Sequence, residues 1–172
     1  MAAFEYRQAE EIRDAFARYL FIGKSGAILL GFSDTTQDAN LFVEKSPKNG
    51  RGLVAALKDI GFDLNQQQSE EIVRGKDFVQ LKNGPFDLDL VFAPDGIEKF
   101  TDAWERRIEV EGFPVCHPDD IIASKEAAGR AKDRESLPRL KSFREYWLRN
   151  RQEKASCAVW VSNPNSRTMK MK

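Results

Sequence analysis

Residues 21–43 read FIGKSGAILLGFSDTTQDANLFV, and this stretch decides how the rest of the chain is read. Phe21 to Gly23 is a short extended lead-in. Lys24 to Phe32 is rich in Ala, Ile and Leu between Gly23 and Gly31, so a brief helix is expected. Ser33 to Gln37 has loop composition, and Asp38 to Val43 reads as a strand. A strand repeats every two residues, so Asp38 and Asn40 share a face. A second strand, FDLDLVF at 86–92, places Asp87 and Asp89 in the same way. Taken alone, each strand fits an ordinary alternation, with Phe86, Leu88 and Leu90 inward and the acids towards water. Taken together they suggest more. Acids in apolar strands are costly to bury unless a positive charge lies beside them, and a divalent metal is the simplest partner. The Gly-containing turn before the first strand offers backbone N–H groups suited to phosphate. A phosphate turn and two carboxylate strands are the parts that metal-assisted phosphoryl chemistry needs.

Around this centre the chain alternates helices and strands. Ala9, Ile12, Phe16, Tyr19 and Leu20 fall at helical spacing, so an amphipathic helix is expected over the first ~18 residues. Leu53, Val54, Leu57 and Ile60 mark a helix over 50–60, stopped by Gly61, and 66–73 reads as a short polar helix. Residues 77–82 alternate like a strand, and Asn83-Gly84 then turns the chain into 86–92, which makes a hairpin. A helix over 97–106 follows, then one strand over 108–115 interrupted by Gly112 and Pro114. Pro118 opens a helix that runs to about Arg130, with Asp119 and Asp120 in its first turn. The last helix is expected over 135–152. This order implies an α/β protein of the α+β type: a small mixed sheet flanked by helices, with a C-terminal helical pair. The expected division is a core over 1–115, the helical pair over 116–153, and a tail over 154–172 on whose end no structure is expected.

Composition narrows the function. The 172 residues suit one domain with a small appendage, and the 27 basic and 27 acidic side chains cancel. No global basic field therefore argues for nucleic acid, which leaves only a local patch. Cys116 and Cys157 lack metal-ligand spacing and His117 is the sole histidine, so a zinc cluster or a Ser-His-Asp triad is hard to build. Cys116 and His117 are neighbours in sequence and point to opposite sides of a strand, which argues against a thiol nucleophile. Two cysteines without a signal peptide point to a reducing, cytoplasmic setting. No apolar run reaches ~18 residues, so no membrane span is expected.

The pieces in order resemble the signature of the nucleotidyltransferase superfamily, in particular its bacterial AbiEii-like branch, which includes toxins of toxin–antitoxin pairs. The resemblance rests on Gly23-Lys24-Ser25, Leu29-Leu30-Gly31, Thr36-Gln37-Asp38-Ala39-Asn40 and Leu88-Asp89-Leu90-Val91. It continues through Lys125, Arg130, Lys132 and Asp133, and covers roughly residues 4–147. It implies transfer of a nucleoside monophosphate from a nucleoside triphosphate to an acceptor hydroxyl, with release of pyrophosphate. By the resemblance, Asp38, the residue at 40 and Asp89 would be the catalytic and metal-binding trio for Mg2+ or Mn2+. Gly23, Lys24, Ser25, Thr36, Lys125, Arg130 and Lys132 would hold the nucleotide. The acceptor implied is a tRNA end, a protein side chain or a small molecule, and an antitoxin is an implied partner.

Three departures stand out. Lys24 replaces the second Gly of the family's pair, and Asp34 stands where many relatives have Arg. Asn40 stands where the family has its second metal carboxylate. A neutral amide brings less charge to a cation, which implies weaker metal binding and a rate loss of about 10²-fold. Three readings of Asn40 stand: a substitution that silences a toxic enzyme, a natural non-catalytic member, or compensation by another acid such as Asp34 or Asp87. On residue pattern alone, Lys125 is either a phosphate contact or part of a solvated helix face. Arg130 and Lys132 either bind phosphate or complement a helix C-terminus, and Asp133 orients one of them. Trp104, Trp147 and Trp160 suit packing better than a base-stacking platform.

Overall fold

The computed structural model describes residue 10, residues 18–82 and residues 84–162, with 153–162 as backbone only. The helix expected over the first ~18 residues and the end of the tail lie outside the described residues. Twelve elements follow in order. They are β1 (Tyr19–Phe21), α1 (Gly23–Leu29), β2 (Asp38–Val43), α2 (Pro47–Asp59), α3 (Gln66–Arg74) and β3 (Phe78–Leu81). Then come β4 (Asp87–Val91), α4 (Phe100–Arg106), β5 (Ile108–Val110), β6 (Phe113–Val115), α5 (Pro118–Ala128) and α6 (Ala131–Ser162). The strands form one six-stranded mixed sheet in the order β3-β4-β2-β1-β6-β5.

Register explains how the two acidic strands meet. β2 and β4 run parallel at the middle of the sheet, with Asp38 opposite Asp87 and Asn40 opposite Asp89. Period two then puts all four side chains on one face. The other face is apolar throughout. Ala39, Leu41, Val43, Leu88 and Leu90 pack there with Leu53, Leu57 and Ile72 of α2 and α3. On the acidic face, Phe42 closes the run by packing on Phe100 at 5.0 Å between ring centroids. A second core lies under that face, where Leu20, Ile22 and Ala27 meet Ile121, Ile122 and Leu140 of the C-terminal helices. Both faces are thus covered, and Asp87 is buried at 7% exposure rather than turned to water as alternation alone suggests.

Several boundaries differ from expectation for identifiable reasons. α2 begins at Pro47, not near Gly50, because Ser46 caps it by accepting from the Asn49 backbone N–H at 3.1 Å. α4 begins at Phe100, later than Ile97. The single strand expected over 108–115 is a hairpin, β5 and β6, turned by Glu111 and Gly112 at φ 50 and 87. α5 ends on left-handed Gly129, and α6 then runs to Ser162, ten residues past the expected stop at Gln152. Residues 154–162 of the expected tail are therefore helical. No helix among the described residues is long and apolar enough to cross a membrane.

Candidate active site

A cavity of about 560 Å3 opens over the acidic face of β2 and β4. Asp38, Asn40 and Asp89 form its floor, Gly23, Lys24 and Thr36 one side, and Lys125, Arg130 and Lys132 another. Nine of the ten residues singled out in the sequence therefore meet in one place. Ser25 stands apart from this lining. It is fully buried, accepts from the Asn40 backbone N–H at 2.9 Å and donates to the Ile22 carbonyl at 3.1 Å. The hydroxyl thereby fastens α1 to β2 instead of facing a ligand.

The turn is shaped by the residue at 40. Gly23 has φ +65, and a Cβ placed on it would lie 2.9 Å from the Asn40 carboxamide oxygen. Only Gly fits both the left-handed backbone and that approach. On its other side the Asn40 amide donates to Asp89 Oδ2 at 3.2 Å. Asn40 thus links the turn of α1 to the β4 carboxylate. Thr36 braces the strand's first residue, donating to the Asp38 carbonyl at 3.1 Å and accepting from the Asp38 N–H at 3.3 Å. Lys24 sits at the rim, 3.5 Å from Asp34, and Arg139 of α6 reaches the same carboxylate at 3.4 Å. The Thr35 backbone N–H, reinforced by Lys24 and Arg139, holds the Asp34 carboxyl below its ordinary range.

Charge is distributed unevenly across the cavity. At the cationic wall, Asp133 is fully buried between Lys125 at 3.3 Å and Arg130 at 2.7 Å. Burial alone would push Asp133 up, but Arg130 and Lys125 outweigh it and its carboxyl lies below the usual value. Lys125 is drawn below the ordinary lysine range by burial, against the pull of Asp133. On the floor the balance reverses. Burial, and then the charge of Asp38, pushes the Asp89 carboxyl up, while nearby Gln80 and Lys132 act in the opposite sense. Asp89 Oδ1 and Asp87 Oδ1 are buried with no hydrogen-bond partner among the described residues.

The donor set can be tested against a metal. Two carboxylates on adjacent strands, one with an unpartnered oxygen, fit a single hard cation of oxygen preference. They do not fit two, because Asn40 is neutral and turns its amide N–H towards Asp89. No three carboxylate, imidazole or thiol side chains converge as metal ligands among the described residues.

Ser124, Asp77, Phe78 and Asp95 also line the cavity, although sequence reasoning did not place them in the site, and so does Asp133, expected from sequence to orient one of the cations. For Asp133 a signal existed in its i,i+3 spacing from Arg130. The remaining motifs lie elsewhere. Cys116 is fully buried and its thiol is pushed far up by that burial, so it is not a nucleophile. His117 caps α5 through Nδ1, which accepts from the Asp119 N–H at 3.0 Å. Trp104 stacks on Phe100, and Trp147 meets His117 edge-on, both as packing groups. The Trp160 side chain lies outside the described residues. No family model and no curated protein matches the chain.

Proposed function

We propose that the protein is a nucleotidyltransferase-fold enzyme that moves a nucleoside monophosphate from a nucleoside triphosphate to an acceptor hydroxyl. One observation carries this reading: a single cavity sets the cations Lys24, Lys125, Arg130 and Lys132 around the carboxylates Asp38 and Asp89. A triphosphate needs the first group, and a reacting hydroxyl with its counter-charge needs the second. Lys125 and Arg130, held in place by Asp133, bind the β and γ phosphates. Lys24 joins them by leaving the half-buried Asp34 at the rim. Asp89, with its proton affinity raised by burial, accepts the proton of the acceptor hydroxyl. The hydroxyl oxygen bonds to the α-phosphorus, the bond to the bridging oxygen breaks, and pyrophosphate departs with the electron pair. A Mg2+ or Mn2+ ion held by Asp38, and by Asp89 where it serves as a ligand instead of the base, would supply charge neutralisation at the transferring phosphate.

A second reading is a nucleotide-binding module without turnover, and the hydrogen bond from Asn40 to Asp89 favours it. That bond engages one of the two carboxylate oxygens through which Asp89 would meet a metal or an acceptor proton. Titration with each nucleoside triphosphate in Mg2+, followed by label transfer to RNA, protein and small hydroxyl acceptors, separates the two. The wild type and Asn40→Asp are assayed side by side. Binding by both with transfer only by the variant supports a silenced enzyme. Absence of nucleotide binding in both defeats the proposal.

A further inference from the structure

We propose that the shallow groove beside the cavity, at the start of β3, binds single-stranded nucleic acid and delivers its terminal hydroxyl to the site. The inference deepens the nucleotidyl-transfer reading and rests on it. Lys45, Arg74, Gly75, Lys76, Asp77 and Phe78 line the groove, and Asp77 and Phe78 also line the cavity, so the two are continuous. Three cations face one acid. Lys76 is tied to Glu71 at 3.2 Å, whereas Lys45 and Arg74 take part in no ion pair among the described residues.

The local fold builds this surface. Gly75 ends α3 in the left-handed conformation at φ +76, and a Cβ there would lie 2.7 Å from Lys45 Cγ. The glycine lets the Lys45 stem cross the end of α3 beside Arg74. Phe78 opens the edge strand and is 45% exposed. A lone exposed Phe is unremarkable on a surface. This one stands where a basic groove meets a cavity, and an aromatic face beside cations suits an unpaired base on a charged backbone.

The direction of the reaction points to the same side. In-line displacement brings the acceptor to the α-phosphorus opposite the departing pyrophosphate. Sheet order runs from β3 through β4 and β2 to β1 and its helix α1. Phe78 and Lys24 therefore flank the carboxylates of β4 and β2 from opposite sides. If Lys24 helps to take the leaving phosphates, the acceptor comes in past Phe78. A neutral chain offers no global attraction, so this local patch would supply the strand's electrostatic contact.

The test is fluorescence anisotropy with labelled ten-nucleotide uridine and thymidine strands, in Mg2+ without nucleotide, over a salt series. A duplex of the same length and an acidic decapeptide are the comparison probes. Single strands are expected to bind most tightly. Lys45→Glu with Arg74→Glu should weaken them at least tenfold and flatten the log–log salt slope by about 1.4. Phe78→Ala should weaken them about tenfold with the slope unchanged, while Phe78→Tyr should retain binding. Triphosphate binding by the Lys45→Glu/Arg74→Glu protein should match wild type. Failure of single strands to bind, equal binding of the acidic peptide, or indifference to either Lys45→Glu/Arg74→Glu or Phe78→Ala overturns the proposal. If the triphosphate binds and strands do not, the groove alone is misread. If strands bind and no triphosphate does, the transfer reading falls and the acceptor role falls with it.

Discussion

Two carboxylates of one cavity, Asp133 fully buried and Asp89 half-buried, are treated in opposite ways. Asp133 has two cations of its own, with Lys125 at 3.3 Å and Arg130 at 2.7 Å, and its carboxyl lies below the usual range. Asp89 has an acid as its neighbour, an amide on one oxygen and no hydrogen-bond partner among the described residues on the other. A buried charge is costly, and the fold meets that cost internally at the start of α6 but leaves it open on β4. The paired cluster is a finished structural element that also displays cations. The unpaired one feels Lys132, but burial and Asp38 outweigh it, and that deficit is what a cation or an incoming proton would satisfy. Three single substitutions, one of them with a second-site change, probe this contrast.

The largest effect is expected at the paired carboxylate. Asp133→Asn leaves Lys125, only 13% exposed at its side chain, without its anion. Breaking one partner of a buried pair costs about 3–5 kcal/mol, because the other is left as an uncompensated buried charge. Urea unfolding should show that loss, and adding Lys125→Met should recover much of it, because the stranded cation is then gone. Triphosphate binding should stay weak in the double variant. A loss under about 1 kcal/mol for the single change would mean that the pair is ornamental and that the contrast between the clusters does not hold.

The second effect is expected at Asn40. Asn40→Asp places a further carboxylate against Asp89 and removes the hydrogen bond that the Asn40 amide gives it. Without metal the variant should be less stable by about 1–2 kcal/mol, since the floor already carries uncompensated charge. Millimolar Mg2+ should restore its melting temperature and shift it further than that of wild type, because a ligand that binds only the folded state stabilises it. Equal melting of both proteins with and without Mg2+ would show that the floor is not cation-seeking.

The same contrast explains which parts of the molecule could be read from sequence. Asp38 and Asp89 were legible because strand periodicity and register act together: parallel β2 and β4 align 38 with 87 and 40 with 89. The antiparallel pairing of β3 and β4 was legible from the Asn83-Gly84 signal in the sequence, whose first residue lies outside the described residues. The cations of α5 and α6 were visible as residue types, but their meeting with the floor depends on how α5 packs on α1, a tertiary fact carried by Ile121 against Gly26. Ser25 looked like a phosphate contact because nothing local reveals that Asn40 donates its backbone N–H to it. The split of 108–115 into a hairpin was missed because Glu111 takes φ 50, a conformation its residue type disfavours. The length of α6 was missed because the apolar positions that mark the helix end at Leu148 and the polar run over 149–154 gives no periodic signal to continue.

The smallest effect separates the clusters by sign, which makes it the sharpest. Asp133 has a lowered folded pKa, so its stabilisation is complete above the ordinary value of 3.8 and is lost as pH falls through the folded one. Asp89 has a raised folded pKa, so between 3.8 and that higher value the folded chain binds more protons than the unfolded chain. Its contribution therefore falls as pH rises through the window and stays unfavourable above it. Asp89→Asn keeps an acceptor for the Asn40 amide and removes the charge. In metal-free buffer it should gain about 1 kcal/mol or less over wild type at neutral pH, and the gain should vanish below pH 3.8. In Mg2+ the order should reverse, because the variant gives up a metal ligand that wild type retains. Urea midpoints at pH 3.5, 5 and 7 with and without Mg2+ measure both terms. A gain that ignores pH would place the effect in packing. A gain that ignores Mg2+ would leave Asp89 as an unpaired acid with no cation to receive, and the floor would then be an incidental pair of strands rather than a site.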